Sequence, residues 1–195
     1  MRNKTFVGPL VGAVLVAFGA VQIYAAVTES STNVPLTIPD ATSSTVPGVV
    51  DSTLTFSVNG TISDANLTVD ITHTWNDDIE LRLTSPSVAA QLLWQDCGGS
   101  GDNLTATIDQ QAGALSTCPT TGPITGTLLP TNGTAASPVA ASGTLTAFNG
   151  SASGGVWTLN VVDDSSICTG TLNAWSLTID GPAPLPVELM SFEIE

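Results

Sequence analysis

Basic residues are almost missing from this chain: of 195 residues, three are Lys or Arg, against 17 Asp and Glu. Two of the three, Arg2 and Lys4, stand at the extreme N-terminus, so from residue 27 onward Arg82 is alone against all 17 acids, a net charge of −16. Phosphate binding needs a basic surface, which argues against a nucleic-acid partner. Histidine is limited to His73. A serine peptidase site needs a nucleophile, a base and an orienting group, and no Gly-x-Ser-x-Gly elbow accompanies this one His. A zinc site is equally unsupported, because three cysteines outside metal-ligand spacing and one His do not make a set. Sustained helical periodicity is absent as well, which argues against a helical bundle.

What is present is Gly (18), Pro (12) and many short alternating runs, the composition of a single all-β domain. The clearest runs are 156–162 and 172–179. Trp157, Leu159 and Val161 share one phase of the first and Trp175, Leu177 and Ile179 one phase of the second, so both sets are expected to face a core. Between them lies the polar loop 163–170 with its adjacent carboxylates Asp163 and Asp164. Upstream, residues 54–58, 62–71, 78–83 and 104–108 alternate in the same way, with turn chemistry at Asn59-Gly60 and a stop at Ser85-Pro86. Residues 91–94 read as a further strand and 96–103 as a loop. The Thr/Ala/Gly-rich stretch 113–142 reads as a long surface excursion, after which 145–148 re-enters the core. Short strands at regular spacing with Gly and Pro between them predict a β-sandwich of jelly-roll type.

The N-terminal order, basic then apolar over 6–20 then small at Ala25 and Ala26, reads as a secretory signal peptide spanning 1–26. The alternative is an uncleaved membrane anchor, the run being close to the ~20 residues that span a bilayer. Residues 27–35 are expected as a disordered leader and 36–180 as the domain. Cys97, Cys118 and Cys168 all lie in the exported part, where a disulfide persists. Pairing of Cys97 with Cys118 would close a Gly-rich loop and is the favoured reading. Cys168 paired with either of them, or with another molecule, is the alternative. The Asn-x-Ser/Thr triplets at Asn59, Asn66, Asn103, Asn132 and Asn149 would accept glycans in a eukaryotic secretory pathway, or are chance in a chain rich in Asn and Thr.

Five motifs in order carry a family resemblance. They are Thr72-His73-Thr74 followed by Asp78-Ile79-Glu80-Leu81-Arg82-Leu83-Thr84-Ser85-Pro86, then Gly101-Asp102-Asn103-Leu104, then Phe148-Asn149-Gly150, then Gly155-Val156-Trp157-Thr158-Leu159, and last Gly170-Thr171-Leu172-Asn173-Ala174-Trp175-Ser176-Leu177. Together they resemble the P domain, or P/Homo B domain, that follows the catalytic domain in proprotein convertases and bacterial subtilisin-like serine peptidases. The resemblance covers about residues 36–180. It implies a galactose-binding-like jelly roll that is not itself catalytic and supports an attached peptidase, and it makes His73 a packing residue. The tail 181–195, with Pro184-Leu185-Pro186, resembles the linker before a C-terminal sorting segment, or a truncated form of one.

Paired acids at Asp77, Asp78, Asp163 and Asp164 would suit glycosidase chemistry only beside an aromatic-lined cleft, whereas Trp157 and Trp175 fall on the inward phase. Calcium is the better use of loop acids, since it takes ~6–8 oxygen ligands. Asp78, Asp102, Asp109 and Asp163 are the candidate calcium ligands, with Asp77, Asp96 and Asp164 in reserve; the alternative is that they are solvated turn residues. The expectation is a secreted or cell-surface, non-catalytic protein whose partner is another protein, a subtilisin-like peptidase being the first candidate. It would meet the membrane only through an uncleaved N-terminal segment. An extracellular adhesion or carbohydrate-binding sandwich is the alternative.

Overall fold

The computed structural model describes residues 26–43, 45–114, 118–133 and 139–181. The expected signal segment and C-terminal tail lie outside the described residues, apart from Ala26 and Gly181. Twelve strands follow in chain order: β1 (Val27–Ser30), β2 (Leu36–Ile38), β3 (Gly48–Phe56), β4 (Asp64–His73), β5 (Ile79–Thr84), β6 (Gln91–Gln95), β7 (Leu104–Asp109), β8 (Ile124–Leu128), β9 (Thr131–Asn132), β10 (Val139–Ala140), β11 (Gly155–Asp163) and β12 (Gly170–Asp180). The only described helices are two single 3-10 turns, Asn76–Asp78 and Leu145–Phe148. No helix among the described residues is long and apolar enough to cross a membrane.

The strands form two mixed sheets packed as a β-sandwich, with no closed barrel. One sheet runs β1-β12-β4-β7-β8, with β2 also on β12, and the other β10-β9-β6-β5-β11-β3. Most pairs are antiparallel, but β7–β8 and β6–β9 are parallel. Alternation decides which side chains meet between the layers. In β4, Leu67, Val69, Ile71 and His73 point inward, and in β11, Trp157, Leu159 and Val161 do so, all at most 1% exposed. Each fully buried aliphatic or aromatic side chain contributes about 1.5–3 kcal/mol of transfer free energy. The Leu145–Phe148 turn returns to this core, burying Leu145 and Phe148, and the Phe148 ring lies 5.0 Å from Trp157.

The strands β11 and β12 are not partners, although they are adjacent in sequence. They lie in opposite sheets, and their tryptophans are inserted from the two layers. Trp157 donates from Nε1 to the Ser153 carbonyl at 2.9 Å and Trp175 to Ser52 Oγ on the opposite sheet at 2.7 Å.

Two segments depart from the sequence reading. The expected leader 27–35 contains β1, which pairs antiparallel with β12 from Val27↔Ile179 to Ser30↔Ser176. Covering the free edge of β12 satisfies backbone groups that a short polar segment does not advertise in its own pattern. Asn33 then accepts a hydrogen bond from Ser52 at 2.6 Å, tying the segment to the tryptophan contact. In the expected surface excursion 113–142, Ile124 and Leu128 are buried at the two ends of β8. Thr125-Gly126-Thr127 between them breaks the alternation that sequence reading relies on.

Candidate functional site

Chemistry-bearing side chains converge at one end of the sandwich, where β4, β5, β11 and β12 meet. His73 ends β4 opposite Gly170 of β12, and Asp163 ends β11 opposite Ile79 of β5. A Cβ at residue 170 would collide with the His73 ring and lie 2.6 Å from the Thr72 carbonyl oxygen, so a glycine is required there. His73 and Asp163 are 1% and 0% exposed. His73 Nε2 lies 3.2 Å from Asp163 Oδ2, and Nδ1 faces the Trp75 carbonyl oxygen at 2.8 Å and the Trp75 N–H at 3.2 Å. Both ring nitrogens are thereby engaged in holding β4, β11 and the 3-10 turn together.

The turn Asn76–Asp78 is bolted to the loop 96–103. Asn76 N–H donates to Gly101 O at 2.8 Å, Asn76 Nδ2 to Asn103 O at 2.8 Å, and His73 N–H to Asn103 Oδ1 at 3.1 Å. Asn103 is therefore engaged inside the fold through its side-chain and backbone carbonyl oxygens. A disulfide between Cys97 and Cys118, with Cα atoms 5.2 Å apart, closes the same loop. Cys168 is a free thiol of intermediate exposure, and burial pushes its pKa up, away from a reactive thiolate.

Acids crowd this end. Burial, followed by the charge of Asp163, pushes Asp78 up to about 6, with His73 opposing. Asp96 is also pushed up to about 6, by burial and then by Asp164, Asp77 and Glu80. Asp77, Glu80, Asp163 and Asp164 are raised too, burial being the largest cause in each. Among the described residues Arg82 is the one Lys or Arg, and it forms an ion pair with Glu80. The buried oxygens Asn76 Oδ1 and Asp77 Oδ1 have no hydrogen-bond partner among the described residues.

Of the four candidate calcium ligands, Asp78 and Asp163 are brought together. Asp102 is exposed in the loop before β7, and Asp109 ends β7 at the opposite edge of that strand, accepting from Gln111 N–H at 2.7 Å. No group of three or more His, Cys, Asp or Glu among the described residues is arranged around a common metal position. The reserve acids Asp77, Asp96 and Asp164 join the crowd instead. Sequence reasoning passes over two neighbours, Trp75 and Ile167, which are 42% and 91% exposed. The available signal is an Ile set alone in the polar loop 163–170.

The sandwich is similar to two solved structures. A crystal structure of a serine protease of Aeromonas sobria matches with a TM-score of 0.45 and 15% identity, covering 84% of this chain and 28% of that one. The complex of the Aeromonas sobria serine protease with its chaperone matches with a TM-score of 0.47 and 16% identity, covering 85% of this chain and 28% of that one. The chain thus spans little more than a quarter of the length of the solved chains it matches. No curated protein matches. Residues 125–179, from β8 to the penultimate residue of β12, match the family described as proprotein convertase P-domain.

Proposed function

We propose that the chain is a secreted, non-catalytic P-domain protein that acts by binding a protein partner, a subtilisin-like serine peptidase being the first candidate. The observation that carries this reading is the P-domain match over 125–179 on a two-sheet sandwich. The chemistry of the acidic end supports it. His73 is the one His of the sequence, and its ring is buried and committed to Asp163 and Trp75. A general base must reach the proton it removes, and this ring is placed to hold loops. Calcium enters the proposal only as a counter-ion to the crowd around Asp77, Asp96 and Asp164, because Asp102 and Asp109 stand apart from it.

A carbohydrate-binding reading would need an aromatic platform. Trp94, Trp157 and Trp175 are buried in the core, which leaves Trp75 as the single exposed Trp of four.

The test is co-purification of the exported protein, paired with a peptidase assay of the purified chain. A subtilisin-like peptidase recovered with the wild-type protein, and no turnover by the chain alone, is the expected result. Turnover by the purified chain that a serine-directed inhibitor abolishes would overturn the non-catalytic assignment.

A further inference from the structure

The loop between β11 and β12 presents its one apolar residue to solvent. Ile167 is 91% exposed and holds φ at +89°, a conformation that costs a β-branched residue of order 1–3 kcal/mol and that Gly adopts freely. The loop is nevertheless pinned. Ile167 N–H donates to both Asp40 carboxylate oxygens at 2.9 and 3.1 Å, and Ser165 N–H to Asp163 Oδ1 at 3.2 Å. Ile167 therefore contributes no burial to the fold, strains its own backbone and is held in place. Across from it stands Trp75, 42% exposed, and between them lies a cleft of about 320 Å³ lined by Trp75, Asp78, Ser165, Ser166, Ile167 and Cys168.

Charge selects the occupant. Asp78 lines the cleft, Asp77 and Asp164 adjoin its lining in the chain, and Asp96 and Glu80 interact electrostatically with Asp164. A second copy would bring the same excess of acids, and an anionic membrane or nucleic acid would be repelled. A segment with Lys or Arg beside an apolar side chain meets both features, the apolar group entering between Trp75 and Ile167 and the cation facing the acids.

We propose that the cleft between Trp75 and Ile167 is a docking surface for a basic, apolar-anchored segment of a partner protein. This rests on the protein-binding reading above and adds to it a place and a partner chemistry.

The experiment pans a random peptide library on the purified chain, then measures selected peptides against Trp75→Ala and Ile167→Asp. Fluorescence anisotropy of dye-labelled peptides reads binding equally in the wild type and in both variants. The expected peptides pair Arg or Lys with Leu, Ile or Phe. Their Kd weakens about tenfold or more in each variant, as for an anchor residue, and also with added salt. Ile167→Asp removes no buried surface, so a cooperative thermal melt shows that the variant is folded. No enrichment, enrichment of peptides without basic residues, or equal binding by wild type and both variants would each overturn the proposal. A peptidase that still co-purifies with Ile167→Asp would overturn this surface while leaving the accessory function standing. Loss of co-purification in that variant supports both.

Discussion

Replacing Asp96 by Asn should stabilise the protein at neutral pH. The residue is half-buried, and its pKa is pushed up to about 6 by burial and then by Asp164, Asp77 and Glu80. In the unfolded chain it titrates near 3.8. The folded state therefore holds the proton more tightly, and the stability this group contributes is fully present below the unfolded value and lost as pH rises through about 6. A shift of about two units corresponds to about 3 kcal/mol, which solvent contact at this half-buried site reduces to about 1–2 kcal/mol. Asn removes the charge with little change of shape, and it tolerates the positive φ of +50° that residue 96 adopts. For a domain of this size, 1–2 kcal/mol raises Tm by about 3–6 °C.

Thermal melts of both proteins between pH 4 and 8 read the effect. Asp96→Asn should melt higher at pH 7, and the difference should shrink below pH 6 and be small at pH 4. The wild-type protein should itself gain stability between pH 7 and 5, because Asp78 loses its charge over the same range. Asp102→Asn, at an exposed position outside the crowd, serves as the control and should leave Tm unchanged. A lower Tm for Asp96→Asn at pH 7, or a difference independent of pH, would refute the reasoning that like charges oppose folding at this end.

The same geometry yields three shorter predictions. Gly170→Ala forces a Cβ against the His73 ring and the Thr72 carbonyl and should cost about 1–3 kcal/mol, read as a lower urea midpoint; an unchanged midpoint would show that the strand crossing has slack. Changing Cys97 and Cys118 together to Ser opens a loop with a sequence separation of 21 and should cost about 3 kcal/mol by the chain-entropy estimate, with a melting temperature unaffected by reductant only in the double variant. Millimolar calcium should raise Tm at pH 7 and much less at pH 5, where the crowd is partly protonated, and a chelator should reverse it; an identical rise at both pH values would remove the carboxylates from the explanation.

The interior of the fold was legible because alternation in β4, β5, β7, β11 and β12 is a direct trace of burial. Trp157 and Trp175 face the core as their phase requires. Strand partnership was less legible, because alternation says which face is buried and nothing of which strand lies alongside; β11 and β12 share a loop yet belong to different sheets. β1 escaped notice because Val27-Thr28-Glu29-Ser30 pairs through its backbone, and backbone pairing leaves little mark on residue type. At the site, the acids were visible singly, but their grouping follows from strand ends. Asp163 comes beside Asp78 because β11 pairs with β5, and Asp109 is carried away because it closes the far end of β7.

Three departures from stable-fold chemistry coincide at the end of the sandwich where His73 meets Asp163. Six carboxylates are held with pKa values raised against one Arg, a β-branched Ile holds positive φ in full solvent, and buried oxygens of Asn76 and Asp77 lack partners. The first two belong to this end of the sandwich and not to the packing of the two sheets, whereas unpartnered buried atoms also occur elsewhere among the described residues, at Asn66 Oδ1 and Trp94 Nε1. Features that conflict with stability are expected to gather where function supplies the compensating interaction. The disulfide, the engaged His73 ring and the Asn76–Asn103 contacts hold the loops rigid around this conflict. A partner that neutralises the acids would relieve the first of these departures, and covering Ile167 would bury the apolar side chain that the strained loop holds in solvent. Binding and stability should for that reason rise together, and a peptide that binds the cleft at pH 7 should raise Tm by more than the same peptide does on Asp96→Asn.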